Sequence, residues 1–179
     1  MISAVTGVVL AGGKSTRMGR DKALLPYQGK NLIDAPIEIL SKIFPKVVLS
    51  VKNDLPGYSL EKIVDQYVEI GPLGGITSVL KTLNEKIFCV ACDMPHLDEK
   101  LIEHLCSFGE EAVIPVWQER PEVLHAIYSP SLIPAFEHAI ASGRYKITDA
   151  LAGASVKYIT QSDGTSFQNV NTPSDYEKI

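Results

Sequence analysis

The sequence predicts an α/β protein, a single-domain three-layer sandwich with a mostly parallel, Rossmann-like sheet between two helical layers. Three observations predict it. Short apolar, β-branched runs alternate with stretches of helical period along the 179 residues, the pattern left by strand–helix–strand crossovers. These runs are apolar at nearly every position, as strands covered on both faces must be. No linker, internal repeat or low-complexity tract divides the chain, so residues 1–179 read as one domain.

The first strand is expected at residues 5–10, where Val5-Thr-Gly-Val-Val9 is apolar and β-branched. Further strands are expected at 47–51, 87–92, 112–116 and 155–159, with helices near 33–43, 75–83, 100–108 and 132–142. Asp98 is a natural N-cap for the third helix, and Thr172-Pro-Ser-Asp175 suits the start of a last short one. Residues 117–128 are too polar for a core helix and contain Arg120-Pro121, so they read as a loop returning to a short antiparallel strand.

Composition narrows the function classes. Hydrophobic residues make up 45% and charged residues 21%, ordinary for a soluble globular protein. The net charge of −4 comes with no basic stripe, which argues against a nucleic-acid partner. The start of the chain lacks a signal-peptide pattern, and no apolar run is long enough to cross a bilayer, so a cytoplasmic protein is expected. Cys89, Cys92 and Cys106 are odd in number, against a disulfide framework. A spacing of three within a strand sends Cys89 and Cys92 to opposite faces, so both are expected in the core rather than around a metal.

The run Leu10-Ala-Gly-Gly-Lys-Ser-Thr-Arg-Met-Gly-Arg-Asp-Lys22 follows the first strand directly. Its glycines let the backbone approach a ligand and turn N–H groups toward it, making an anion-binding concavity. Arg17 and Lys22 then neutralise phosphate charge that backbone dipoles only partly offset. Neither a Walker loop nor a Gly-x-Gly-x-x-Gly dinucleotide fingerprint occurs, since Gly12 and Gly13 are adjacent. In open parallel sheets ligands sit beyond the carboxyl ends of the strands. Asn53 and Asp93 fall there too, although both residue types also favour turns. A carboxylate at Asp93, with Pro95 ending the strand, suits a hard cation such as Mg²⁺.

The loop resembles that of the nucleotidyltransferase superfamily, Leu-Ala-Gly/Ala-Gly-x-Ser-x-Arg-Met-Gly-x-x-Lys. Within it, the chain is similar over nearly its whole length to the molybdenum cofactor guanylyltransferases, which attach GMP to molybdopterin. Gly12, where cytidylyl relatives usually carry alanine, and Asp21-Lys22 lean toward the guanylyl branch. The resemblance implies that Leu10, Ala11, Gly12, Gly13, Ser15, Thr16 and Lys22 hold GTP. It extends that site to Asn53, to Asp65 and to Gly71, Leu73 and Gly74 of the Gly71-Pro-Leu-Gly-Gly75 segment. Arg17, Lys22 and Asp93 become the catalytic set, with Mg²⁺ as cofactor on Asp93 and Asn171 as a second oxygen ligand.

The molybdopterin side is implied at Arg17, His125, Arg144, Lys146, Asn169 and Asn171. On their own, a histidine in a short strand is as readily a packed core residue, and Arg144 and Lys146 as readily a solvated face. Asn169 and Asn171 share one side of an extended segment that also suits a cap before a helix. The implied partners are GTP and molybdopterin as substrates, and transiently the proteins that deliver or accept the cofactor. The competing readings are a cytidylyl or other small-molecule nucleotidyltransferase, and a non-catalytic nucleotide sensor.

Overall fold

A computed structural model describes residues 1–12, 22–67 and 69–170. In chain order the elements are β1 (Thr6–Leu10), a short 3₁₀ turn at Lys22–Leu24, β2 (Pro26–Tyr27), β3 (Lys30–Asn31), α1 (Asp34–Ile43), β4 (Val47–Val51) and β5 (Glu61–Val64). Then follow α2 (Pro72–Leu83), β6 (Ile87–Ala91), α3 (Glu99–Cys106), β7 (Ala112–Trp117), β8 (Arg120–Pro121) and β9 (His125–Tyr128). The last are α4 (Ile133–Ala141), α5 (Ile147–Ala150), β10 (Val156–Gln161) and a 3₁₀ turn at Thr165–Phe167.

The main sheet has the order β10-β7-β9-β6-β1-β4-β5, with β8 paired to the end of β7. β1 runs parallel to both β4 and β6, β4 parallel to β5, and β7 parallel to β10. Only β9 and the short β8 run against the rest, β9 between β6 and β7. The expected fold class and the antiparallel return are both present.

The helical layers follow from strand alternation. Val9, Leu49, Phe88 and Val90 face one way, onto Leu40 and Ile43 of α1 and Ile102 and Leu105 of α3. Val8, Val48, Ile87 and Cys89 face the other, onto Ile76, Val79 and Leu80 of α2 and Phe136 of α4. Cys89 and Cys92 fall in opposite core layers, both buried, as their spacing requires. Burial pushes the Cys89 thiol up to about 12, so it stays protonated and inert. Asp98 caps α3 by accepting from the Lys100 amide at 2.9 Å. The helix expected at Thr172 lies outside the described residues.

Two hairpins and one strand were not expected. Gln28 and Gly29, and likewise Gln118 and Glu119, adopt positive φ, the requirement of a type I′ turn. A Gln-Glu pair gives no turn signal, so the β7–β8 hairpin is imposed by its strands. β5 is an edge strand with Glu61 and Val64 solvent-facing and Lys62 half-buried, and only Ile63 enters the core. No helix among the described residues is long and apolar enough to cross a membrane.

The segment after β10 folds back over the sheet. Gly164 lies against Trp117, where an added Cβ would come within 2.1 Å of the indole. Ser166 Oγ accepts from the Asp98 amide at 3.0 Å, and the Val170 amide donates to the Asp93 carbonyl at 2.9 Å. The Phe167 ring meets His125 edge-on, and Phe88 meets it from another side.

His125 is therefore a core residue, fully buried, with neither ring nitrogen hydrogen-bonded among the described residues. Burial pushes its pKa down to about 3, so it is neutral in the folded chain. Below about pH 6.5 the unfolded chain takes up a proton that the folded one refuses. Stability from this group is complete above that pH and falls toward pH 3 at about 1.4 kcal/mol per unit. His125→Phe is expected to flatten the acid limb of a urea-unfolding series by that amount. An unchanged limb would contradict the burial argument.

Candidate functional site

The site begins with two backbone hydrogen bonds that carry the ladder past the strand ends. The Ala11 amide donates to the Ser50 carbonyl at 2.8 Å, and the Cys92 amide donates to the Leu10 carbonyl at 3.2 Å. They hold the carboxyl ends of β4, β1 and β6 level. The chain order leaves β1 toward β4 on one side and returns to it through β6 on the other, the switch point where open sheets bind ligands.

A cavity of about 470 Å³ opens over these ends. Its floor is Leu10, Ala11 and Gly12 after β1, with Ser50 and Lys52 from β4 and Ala91, Cys92 and Asp93 from β6. Asp65 follows β5, and Gly71, Pro72 and Gly75 bring in the start of α2. Gly71 has φ +87, a conformation open to glycine, and Pro72 then sets the first helical position. Gly75 packs against β4, since a Cβ there would lie 2.9 Å from Ser50 Oγ. Leu124 and Asn169 close the far wall.

Each side of this cavity carries one lysine and one aspartate. On the β6 side the Lys22 ammonium forms an ion pair with Asp93 Oδ2, joining positions 71 residues apart. Their side chains are 25% and 15% exposed, so a ligand reaches both. On the β5 side stand Lys52 and Asp65. The Asp65 amide donates to the Val51 carbonyl at 2.8 Å, and its Oδ1 accepts from the Tyr67 amide at 2.8 Å.

Most expected site residues that are described meet here: Leu10, Ala11, Gly12, Lys22, Asp65, Gly71, Asp93 and Asn169 all touch the cavity or its ion pair. Gly13, Ser15, Thr16, Arg17 and Asn171 lie outside the described residues. The rest lie away from this cavity. Asn53 is exposed and Lys52 lines the wall instead, because Ser50 and Lys52 share one face of the β4 line while Val51 and Asn53 share the other. Leu73 and Gly74 are buried beneath the wall, Leu73 within the core layer under α2. His125 sits between Phe88 and Phe167 and not at the cavity. Arg144 and Lys146 are solvent-exposed at the turn from α4 to α5 and do not line it.

Ser50, Lys52, Ala91 and Leu124 line the cavity without having been expected in a site, and Cys92 was expected only in the core. Strand periodicity carried forward from Ser50 would have found Lys52.

The donor set around Asp93 fits a divalent ion such as Mg²⁺. Asp93 Oδ1 takes no hydrogen bond from the described residues, and Asn169 lines the same wall. Among the described residues no three His, Cys, Asp or Glu side chains cluster as a metal cage. One carboxylate completed by water and ligand phosphates is how Mg²⁺ is usually held.

The family model for the MobA-like NTP transferase domain matches residues 7–156. A probable molybdenum cofactor guanylyltransferase of Carboxydothermus hydrogenoformans is 33% identical, over 98% of this chain and 94% of its own. A protein of the same description in Methanosarcina mazei is 30% identical, over 97% and 89%. The crystal structure of molybdopterin-guanine dinucleotide biosynthesis protein A from Archaeoglobus fulgidus superposes with a TM-score of 0.83 at 29% identity, covering 97% and 96% of the two chains.

With Lys22 and Lys52 beside exposed strand ends, the cavity is expected to take a polyphosphate. Inorganic pyrophosphate should raise the unfolding temperature, and Lys22→Ala should weaken its binding at least tenfold, the worth of a charge-assisted hydrogen bond. Equal affinity of the two proteins in calorimetry would remove Lys22 from the site.

Proposed function

The chain belongs to the MobA-like NTP transferase family, and from that premise we propose that it transfers GMP from GTP to the terminal phosphate of molybdopterin, releasing pyrophosphate. The observation that carries the proposal is the pairing of Lys22 with Asp93 at the carboxyl edge of β1 and β6. It sets a phosphate-binding cation and a metal-binding carboxylate on one wall. The near-full-length similarity to guanylyltransferases supports the choice of GTP and molybdopterin.

In this reaction an oxygen of the molybdopterin phosphate attacks the α-phosphorus. A new P–O bond forms while the bond to the bridging oxygen breaks, and pyrophosphate leaves with that electron pair. The attacking phosphate is already anionic near pH 7, so no general base is needed. Catalysis then rests on alignment and on offsetting charge at the phosphate oxygens.

Lys22 gives its ammonium to the phosphates, leaving Asp93. Arg17 of the preceding loop adds a second cation, and the backbone of Gly12 and Gly13 approaches the triphosphate. Asp93, with Asn171 as a second oxygen donor, would hold Mg²⁺, which would offset phosphate charge. In this reading the nucleoside lies toward β4 and β5, beside Ser50, Lys52 and Asp65, which line the same cavity as Asp93. Molybdopterin enters past Asn169 and Leu124, on the opposite side.

Two measurements test this. With Mg²⁺ present, GTP is expected to raise the unfolding temperature more than CTP or ATP at equal concentration. A larger rise with CTP would assign the chain to cytidylyl transfer, and no rise with any of them would end the nucleotide reading. With GTP and molybdopterin, Lys22→Ala or Asp93→Ala should lower pyrophosphate release a hundredfold or more with the fold retained. Near-normal release by both variants would defeat the mechanism.

A further inference from the structure

Asp65 stands on the cavity wall, yet one of its two carboxylate oxygens is already committed to the protein. Oδ1 accepts from the Tyr67 amide at 2.8 Å and lies 3.1 Å from the hydroxyl of Ser78, on the second turn of α2. Ser78 is fully buried and does more than touch Asp65. Its Oγ accepts from the Gln66 amide at 2.9 Å and lies 2.9 Å from the Gly74 carbonyl, so its single proton is shared between that carbonyl and Asp65. Gly74 makes the approach possible. A Cβ there would come within 3.1 Å of Asp65 Oδ1 and 2.9 Å of Tyr67 Cβ.

The arrangement matters because the terminal torsion of aspartate is broad and carries no strong preference of its own. With Oδ1 held from behind by an amide and a buried hydroxyl, the carboxylate is turned one way. Oδ2, which takes no hydrogen bond from the described residues, is left for the ligand. We infer that Ser78 is a positioning residue for nucleotide recognition: it acts through Asp65, orienting Oδ2 toward an N–H or O–H donor of the nucleoside. The second role of Ser78, binding the Gln66 amide, fixes the Asp65–Gln66–Tyr67 turn onto α2, so orientation and turn are set by one hydroxyl. Gly74 supplies the space.

This assignment rests on the GTP reading above, and a double-mutant cycle separates the two. Calorimetry with GTP and Mg²⁺, run well below the unfolding temperature, compares wild type, Ser78→Ala, Asp65→Ala and the double variant. Ser78→Ala is expected to raise Kd and KM for GTP about tenfold, with kcat changed less than twofold. In the Asp65→Ala background the same substitution is expected to add nothing. Ser78→Cys, which keeps a side chain of similar shape but only a weak donor and acceptor, should raise KM for GTP in the same direction and covers the case in which Ser78→Ala fails to fold. Unchanged GTP affinity in Ser78→Ala, or an equal loss with and without Asp65, overturns the assignment alone. A wild-type chain that binds no nucleotide overturns the function beneath it.

Discussion

Two backbone hydrogen bonds, from Ala11 to Ser50 and from Cys92 to Leu10, are the constraint on which the rest of this protein depends. They continue the parallel ladder one residue beyond the strands and bring three chain segments to one height. Gly12, Lys52 and Asp93 then share a cavity although they come from distant parts of the chain. Side chains alone would hardly achieve this. A parallel register set by backbone amides is insensitive to the polar residues at the strand ends, which are thereby free to serve a ligand.

The site divides along the sheet. The β6 half carries an ion pair, Lys22 with Asp93, whose members are both open to the cavity. Their attraction to each other holds the charged groups ready near the surface at little cost, because both remain partly solvated. The β5 half carries an oriented acceptor, Asp65, held against α2 by the Tyr67 amide and Ser78. Each half pairs a lysine with an aspartate, but only on the β6 side are the two joined to each other, whereas on the β5 side the aspartate is turned by hydrogen bonds to the protein.

Glycine in α2 has two structural duties here, and neither is ligand contact through a side chain. Gly75 lets the helix lie against Ser50, and Gly74 leaves room for the Asp65 carboxylate. The fold-back of residues 164–170 has a comparable role at the opposite wall. Trp117 over Gly164, Phe167 on His125 and the Val170 amide on the Asp93 carbonyl together deliver Asn169 to the cavity. His125 belongs to this packing. An imidazole kept neutral by burial joins the C-terminal segment to the core, at the cost of acid sensitivity.

Local pattern alone was enough for the layer order, the parallel core and the edge where the site lies. Runs such as Val47–Val51 and Ile87–Ala91 are apolar on both faces, and only a doubly covered strand needs that. The positions of Gly12 and Asp93 at the sheet's edge were legible because strand ends are where such residues have little packing to do. The β7–β8 hairpin was not, since Gln118 and Glu119 carry no turn preference, and neither was β5, whose pattern is that of an exposed edge. Which side chains meet was decided only by the tertiary structure. Lys22 joins Asp93, Lys52 replaces Asn53, and His125 is withdrawn into the core. Periodicity specifies the face on which a residue lies, whereas pairing across 71 residues of chain depends on strand order and helix packing, which no local pattern encodes.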